Sequence, residues 1–468
     1  MKPLIVLDIP GLTSKLLGDA TPNLNRLVQR GALRHLDTVA PAVTCTVQST
    51  VLTGALPRDH GVVANGWYFR DTSEVALWKQ SNRLVSGDPV WEAARHRNRE
   101  FTCANMFWWF NMYSSATIGV TPRPMYPADG RKIPDCYSAP SNLRDELTQR
   151  LGPFPLFRFW GPAADITSTQ WIVDATLHVR QTRRPTLTLA YLPHLDYNLQ
   201  RLGPNDPALQ RDLADIDAAC GQLLDQAERD GANAIVFSEY GITGVSRPVH
   251  INRALRNAGT IAVRSEMGRE QLDAGASAAF AVVDHQFAHV YVADRSRLAE
   301  LKALLEALPG VERVLDADGK REMGLDHPRS GELVAIAKAD SWFTYYFWTD
   351  DDRAPDYART VDIHRKPGYD PVELFLDPKI RFPKVALAQR LAKKAMGFRT
   401  LMDVIPVDAT LVRGSHGRLT DDPQDGPVCI SSNPDLLPAG TVAAVDMKEL
   451  MLHHIFSDER VAVGGRNG

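Results

Sequence analysis

The sequence predicts an α/β protein built on a doubly wound, mostly parallel sheet. Four short apolar runs resemble strands that are buried on both faces, as in a parallel sheet, and they cover residues 4–7, 187–191, 234–237 and 333–337. Amphipathic helices are predicted between them, one starting at Thr21-Pro22 and ending near Gly31, and a longer one over residues 206–230. The ligand site of such a fold lies beyond the carboxyl ends of the strands.

Two regions interrupt this alternation of strands and helices. Residues 107–162 are rich in aromatic residues and prolines, which predicts an inserted lid whose cluster 107–110 either covers a substrate or packs internally. Residues 280–347 contain a strand and a helix and predict a small inserted α+β subdomain. The catalytic core is then expected to comprise residues 1–279 together with 348–468.

The composition excludes several classes of protein. With 53 basic and 56 acidic residues among 468, the net charge is −3, and the chain is neither disordered nor a basic nucleic-acid-binding module. The five cysteines are scattered singly, which disfavours a disulfide framework or a cysteine zinc cluster and favours the cytoplasm. No window reaches the ~18 uncharged apolar residues of a membrane helix, so we expect no membrane span.

Acidic residues follow three of the predicted strands. Asp8 ends the first strand, Asp196 comes soon after the second, and Glu239 with Tyr240 follows the third. A single acid at such a position is as easily a turn or cap residue. Three of them favour a site for metal ions or phosphates, because such ligands need charges that converge from separate elements.

A hydroxyl residue and two histidines are further candidates. Thr44 comes just after a strand and at the start of a helix, where it can act as a nucleophile or simply cap the helix. His416 lies in a loop between two glycines, whereas His364 is followed by Arg365 and Lys366, which are candidates for binding phosphate.

The order of these segments resembles the alkaline phosphatase superfamily, and within it the type I phosphodiesterase/nucleotide pyrophosphatase family, with phosphonoacetate hydrolase as a near relative. The resemblance spans most of the chain. It rests on residues 21–24, 41–44, 52–54 and 57–62, on Asn65, on residues 326–333 and on the late Ser-His-Gly at 415–417.

The resemblance implies that Thr44 is the nucleophile, which becomes phosphorylated or nucleotidylated, and that Asn65 binds the transferred phosphoryl group. It also implies two divalent metal ions, zinc in the family, with Asp8 and Thr44 at the first. Asp196 and His416 match ligands of the second, and His364 competes with His416 for that role.

Three positions depart from the family pattern. Gln200 stands where the family has a histidine, and Glu239-Tyr240 stands where it has Asp-His. An amide or a neutral phenol is a poor zinc ligand, so His194 and His364 are candidates to supply nitrogen, and Mn²⁺ or Mg²⁺ becomes an alternative to zinc.

The sequence therefore predicts a metal-dependent hydrolase of a phosphodiester or pyrophosphate bond in a phosphorylated small molecule, acting through a covalent threonine intermediate. A phosphomonoesterase or phosphonate hydrolase on the same fold is one alternative. A degenerate member that binds a phosphorylated metabolite or a partner without turnover is the other.

Overall fold

A computed structural model of the chain describes residues 1–398 and 400–463. The strands of these residues are β1 (Leu4–Asp8), β2 (Ala32–Asp37), β3 (Gly66–Phe69), β4 (Glu74–Leu77), β5 (Cys103–Met106), β6 (Ile118–Pro122), β7 (Cys136–Ala139), β8 (Leu187–Tyr191), β9 (Asn233–Phe237), β10 (Thr243–Gly244), β11 (Arg247–Val249), β12 (Ala262–Glu266), β13 (Arg269–Asp273), β14 (Ala279–Asp284), β15 (Phe287–Val292), β16 (Val311–Leu315), β17 (Leu333–Ala337), β18 (Ser341–Phe343), β19 (Gly414–Ser415), β20 (Val428–Ser431) and β21 (Val442–Ala443).

The α-helices of the same residues are α1 (Pro22–Arg30), α2 (Thr44–Thr53), α3 (Pro57–His60), α4 (Val90–Arg97), α5 (Asn142–Leu151), α6 (Leu156–Phe159), α7 (Ile166–Arg183), α8 (His194–Leu202), α9 (Leu209–Arg229), α10 (Ile251–Asn257), α11 (Leu298–Glu306), α12 (Ala317–Glu322), α13 (Pro383–Ala395) and α14 (Met447–Val463). Both helices predicted from the sequence are confirmed. Helix α1 follows Thr21, has a proline in its first turn and ends at Gly31.

The central sheet has nine strands in the order β21-β2-β20-β9-β1-β8-β5-β6-β7. Its middle, from β9 to β6, is parallel, and antiparallel pairs lie towards both edges. Helices α9 and α14 both contact β1. Helix α9 packs against α1 and α7, whereas α14 packs against α2 and α4. The α/β fold class with a mostly parallel sheet and helices on both faces is confirmed.

The register of the three middle strands brings their carboxyl ends together. Asp8 at the end of β1 lies opposite Tyr191 of β8 and opposite Phe237 of β9. All three strands are fully buried, as their apolar composition requires. The segments that follow them therefore leave the sheet at the same edge.

A second sheet is antiparallel, in the order β14-β15-β17-β16, and has its own apolar core. The assignment of residues 333–337 to the parallel core was wrong, because they form β17 of this second sheet. A short apolar run is buried on both faces in either sheet, so its composition could not separate the two. The division of the chain into a core and an inserted subdomain stays a prediction.

Residues 107–162, which were expected to form a lid, contribute partly to the central sheet and partly to the surroundings of Gln48 and Tyr369. Strands β6 and β7 lie within residues 107–162 and extend the central sheet, so this region is in part regular core. Its Trp108 is fully buried against Phe237 of β9. Trp109 and Trp160 instead contact Gln48 and Tyr369, as described below. Among the described residues, no helix is long and apolar enough to cross a membrane.

Candidate active site

Thr44 lies at the first position of α2, and its hydroxyl is buried. The Thr44 Oγ1 atom is 3.3 Å from the phenol oxygen of Tyr240. The backbone N–H of Cys45, the next residue of the helix, donates to the side-chain oxygen of Asn65 at 2.9 Å. The start of a helix favours negative charge, so a phosphoryl group beside Thr44 would be stabilised there.

Asp8 and Glu239 form a fully buried pair of carboxyl groups next to this threonine. The side-chain N–H of Gln48 donates to one oxygen of Asp8 at 2.9 Å. The other Asp8 oxygen and both Glu239 oxygens accept no well-formed hydrogen bond, although Thr44 and Gln48 lie beside Glu239. Burial raises the pKa of Asp8, and burial together with the charge of Asp8 raises that of Glu239. Unpartnered buried oxygens of this kind call for a bound cation or proton.

Asp196 belongs to a second group, which is closed by its own hydrogen bonds. Gln200 donates to Asp196 Oδ2 at 2.7 Å, and the phenol of Tyr240 donates to Asp196 Oδ1 at 3.3 Å. The phenol of Tyr369 in turn donates to the side-chain oxygen of Gln200 at 2.9 Å. Burial raises the pKa of Asp196 to about 7, although the hydrogen bonds from Gln200 and Tyr240 oppose the rise.

His416 borders the same group. Its Nδ1 lies 2.8 Å from the carbonyl of Ala42, so this nitrogen donates and Nε2 keeps its lone pair, 4.0 Å from Asp196 Oδ1. The ring stacks on Tyr240 with centroids 3.5 Å apart. A Cβ atom at Gly414 would lie 2.1 Å from the backbone carbonyl oxygen of Leu199 in α8, so a glycine is required where this segment passes the helix.

The turn between β14 and β15 adds two residues that the sequence analysis missed. Asp284 accepts from the backbone and side-chain N–H groups of Asn65 at 2.7 and 3.0 Å, and from His285 Nδ1 at 2.7 Å. His285 has a φ of +59° and stacks between Tyr369 and His416, with centroids 3.6 and 3.7 Å away. Its Nε2 is buried and unpartnered. An acidic residue at the end of an apolar strand could have marked Asp284 as a candidate in the sequence. Its contact with Asn65 could not be predicted there.

Aromatic residues border Tyr369 and the side of the site that Gln48 occupies. The ring centroids of Trp78 and Trp109 lie 4.7 Å apart. The ring centroid of Tyr369 lies 6.1 Å from that of Trp78 and 5.7 Å from that of Trp160. The backbone N–H of Trp109 donates to Gln48, the residue that binds Asp8.

The structure brings Asp8, Thr44, Asn65, Asp196, Gln200, Glu239, Tyr240 and His416 together, but not the four other candidates. His194 is buried against Asp212, 3.2 Å away, and the nearest hydrogen-bonding contact of His364 is the carbonyl of Leu77 at 3.4 Å. Arg365 is exposed and pairs with Asp356. Lys366 is fully buried and pairs with Asp370 and Glu373, each at 2.7 Å, so its ammonium group already has two anionic partners.

The two groups of donors differ in how they suit a metal ion. Asp8, Glu239 and Thr44 offer only oxygen atoms, three of them unpartnered carboxylate oxygens, which suits one hard cation such as Mg²⁺ or Mn²⁺. At Asp196 both carboxylate oxygens are already hydrogen-bonded, so this group does not suit a second zinc ion.

No preformed metal centre is present in the part of the chain that the structure describes, since no three Asp, Glu, His or Cys side chains there converge as one. In the same residues, no lysine or arginine pairs with Asp8, Asp196, Glu239 or Asp284. The expectation of two divalent ions stays a prediction.

The chain is similar to a known protein family and to solved structures. The model of the type I phosphodiesterase/nucleotide pyrophosphatase family matches residues 4–370. Phosphonoacetate hydrolase from Sinorhizobium meliloti, solved with phosphonoformate, superimposes with a TM-score of 0.61 at 16% identity, over 97% of this chain and 95% of that one. An inactive threonine-to-alanine variant of murine ectonucleotide pyrophosphatase/phosphodiesterase 5, solved with AMP, gives 0.59 at 15% identity, over 97% and 95%. These two structures share the fold.

One curated relative also matches. An uncharacterized pyrophosphatase/phosphodiesterase of Schizosaccharomyces pombe is 25% identical over 237 residues, which are 48% of this chain and 41% of that protein. The chain thus matches less than half the length of this relative.

Proposed function

The chain belongs to the type I phosphodiesterase/nucleotide pyrophosphatase family, and from this membership and the geometry of the site we propose that it hydrolyses a phosphodiester or pyrophosphate bond through a covalent intermediate on Thr44. The observation that carries the proposal is the position of Thr44. Its hydroxyl lies at the start of a helix, next to two carboxyl groups with three unpartnered oxygens.

The reaction would take place in two displacements. The Thr44 oxygen forms a bond to phosphorus as the bond to the leaving oxygen breaks, and the hydroxyl proton passes to the neighbouring Glu239 carboxylate. Water then forms a bond to phosphorus as the bond between phosphorus and Thr44 breaks. Glu239 returns its proton to the threonine oxygen and takes one from the water, and the phosphate product leaves. The start of α2 stabilises the phosphoryl anion in both steps.

Asp8, Glu239 and Thr44 would hold the cation in this proposal. A divalent ion, when bound, keeps the two carboxyl groups ionised and lowers the pKa of the threonine hydroxyl. Because the donors are oxygen atoms, we expect Mg²⁺ or Mn²⁺ to support activity better than Zn²⁺ does.

The substrate we propose is a phosphorylated small molecule. Phosphonoformate and AMP, found in the two similar structures, are of this kind, and phosphonate hydrolysis is the alternative reaction on the same fold. We propose the cytoplasm as the location, since the five cysteines are all buried free thiols.

A second candidate function is binding without turnover. The observation that favours it is the closed network of Asp196, Gln200 and Tyr240, which fills the second group of donors with hydrogen bonds. Such a protein would retain a phosphorylated ligand beside Thr44 and release it unchanged.

The test compares an aryl phosphodiester, a dinucleotide pyrophosphate, an aryl phosphomonoester and phosphonoacetate, each with Mg²⁺, Mn²⁺ or Zn²⁺. We expect diester or pyrophosphate turnover, reduced at least about a thousand-fold by Thr44→Ala, because the nucleophile is lost. Thr46→Ala is the matched control, since Thr46 is equally buried on α2 and its hydroxyl has no partner. Turnover that survives Thr44→Ala contradicts the covalent mechanism. Ligand binding without any turnover supports the second candidate.

A further inference from the structure

Helix α13 (Pro383–Ala395) turns apolar side chains to solvent. Within the helix, Val385 is 55% exposed and Ala388 and Ala392 are exposed as well. Phe382 and Met396, which flank the helix, are 63% and 67% exposed. Val385, Ala388, Ala392 and Met396 are spaced by three, four and four positions, and the Met396 N–H donates to the carbonyl of Ala392 at 3.0 Å. These four residues therefore line one face of the helix and its last turn. A helix on the surface of a soluble protein normally presents polar residues on that face.

The exposed apolar residues are concentrated in this part of the molecule. Phe398 and Leu401, just beyond the helix, are 63% and 47% exposed, and Leu391 within it is 51% exposed. Of the fifteen large apolar residues that are exposed in the described part of the chain, six lie within residues 382–401. Single exposed apolar residues are normal, but a contiguous group marks a surface that binds a partner.

The same segment is strongly basic. Residues 379–402 contain seven basic residues and no acidic ones, although the whole chain carries a net charge of −3. One of the seven, Arg390, pairs with Asp403 at 2.6 Å just outside the segment. An apolar helix face among basic residues is typical of segments that lie in the surface of an anionic membrane.

We propose that residues 379–402 bind the protein peripherally to an anionic lipid surface. The apolar face of α13 enters the boundary between headgroups and acyl chains, and the exposed basic residues Lys379, Arg381 and Lys393 contact the lipid phosphates and carboxylates. A second copy of the chain fits this face less well, because two such segments would place fourteen basic residues and no acid against each other. The segment follows residue 370, where the match to the family model ends.

The test measures co-sedimentation of the whole protein with vesicles of phosphatidylcholine alone or mixed with phosphatidylserine. We expect binding to the mixed vesicles that falls with added salt, and little binding to phosphatidylcholine. The double substitution Phe382→Ser and Met396→Ser, and separately Lys393→Glu, should each reduce partitioning, the double substitution about ten-fold or more. Met267→Ser, a fully exposed methionine on the β12–β13 hairpin, is the matched control.

Thermal unfolding of each variant checks that the fold is intact, and the assay does not depend on hydrolytic activity. Absence of binding to the mixed vesicles at low salt overturns the proposal. Equal binding of the double variant and the parent does so as well. A dimer in solution that the double variant abolishes would assign the face to self-association instead.

Discussion

Two of the three residues that depart from the family pattern, Gln200 and Tyr240, bind the carboxylate of Asp196. Each of the two side chains donates a hydrogen bond to one carboxylate oxygen of Asp196, so neither oxygen is without a partner. The charge of a buried carboxylate can be stabilised by such donors or by a metal ion, and the hydrogen bonds here take the place that ligand bonds would occupy. The site as a whole is therefore best suited to one cation rather than two.

Restoring histidines at both positions should create a second metal site. We expect the double variant Gln200→His/Tyr240→His to bind about one more equivalent of Zn²⁺ than the parent, because imidazoles replace the donors that now occupy Asp196. Elemental analysis by mass spectrometry after equilibrium dialysis measures this. His364→Ala, at a histidine away from the site, should leave the stoichiometry unchanged. Two zinc equivalents in the parent, or no gain in the double variant, would contradict this account.

At the scale of the element, the β14–β15 hairpin completes the site from the second sheet. Its turn supplies Asp284, which holds both N–H groups of Asn65, and His285, which stacks on His416. Burial raises the pKa of Asp284 to about 6, and its hydrogen bonds with Asn65 oppose the rise. The hairpin thus holds the loop between α3 and β3, which carries Asn65, as well as the late histidine.

Removal of the Asp284 carboxylate should weaken this junction. We expect Asp284→Ala to lower the free energy of unfolding by about 2 kcal/mol, because it leaves the buried N–H groups of Asn65 and His285 without an acceptor. Urea denaturation measures the change. Asp435→Ala, at an exposed aspartate in a surface turn, should change it by less than about 0.5 kcal/mol. Equal effects of the two substitutions would show that the hairpin does not stabilise Asn65.

The sequence predicted the elements of the site better than their contacts. The strand ends with Asp8, Asp196 and Glu239 were predictable, because apolar runs mark buried strands and an acid directly after one is conspicuous. The place of Lys366 was not, since a basic residue next to His364 and Arg365 has the same composition whether it binds phosphate or lies in a buried ion pair. Nor was the turn at Asp284, which meets Asn65 across 219 positions of sequence.

At the scale of the whole molecule, burial gives the fold two opposing dependences on pH. Buried histidines have lowered pKa values, about 3 for His60 and about 4 for His289, so the unfolded chain takes up more protons as the pH falls below about 6.5. The buried carboxyl groups Asp196 and Asp284 have raised pKa values and act in the opposite direction. The pH dependence of the parent protein's stability is the sum of these two contributions. The contribution of a single histidine is therefore measured by comparing the parent with a variant that lacks it.

His60 offers that comparison because its ring accepts a hydrogen bond from the N–H of Val62 at Nδ1 and contacts Thr50 at Nε2, which leaves no place for a second proton. The neutral form of His60 is therefore favoured in the folded state. His60 lowers the free energy of unfolding only as the pH falls below the pKa of histidine in the unfolded chain, about 6.5. We expect the stability difference between the parent and His60→Gln to shift by about 2 kcal/mol in favour of the variant between pH 7.5 and pH 5.0. Urea denaturation at both values measures the shift. His96→Gln, at an exposed histidine on α4, should show almost none, and an unchanged difference for His60→Gln would mean that the ring is protonated in the folded protein.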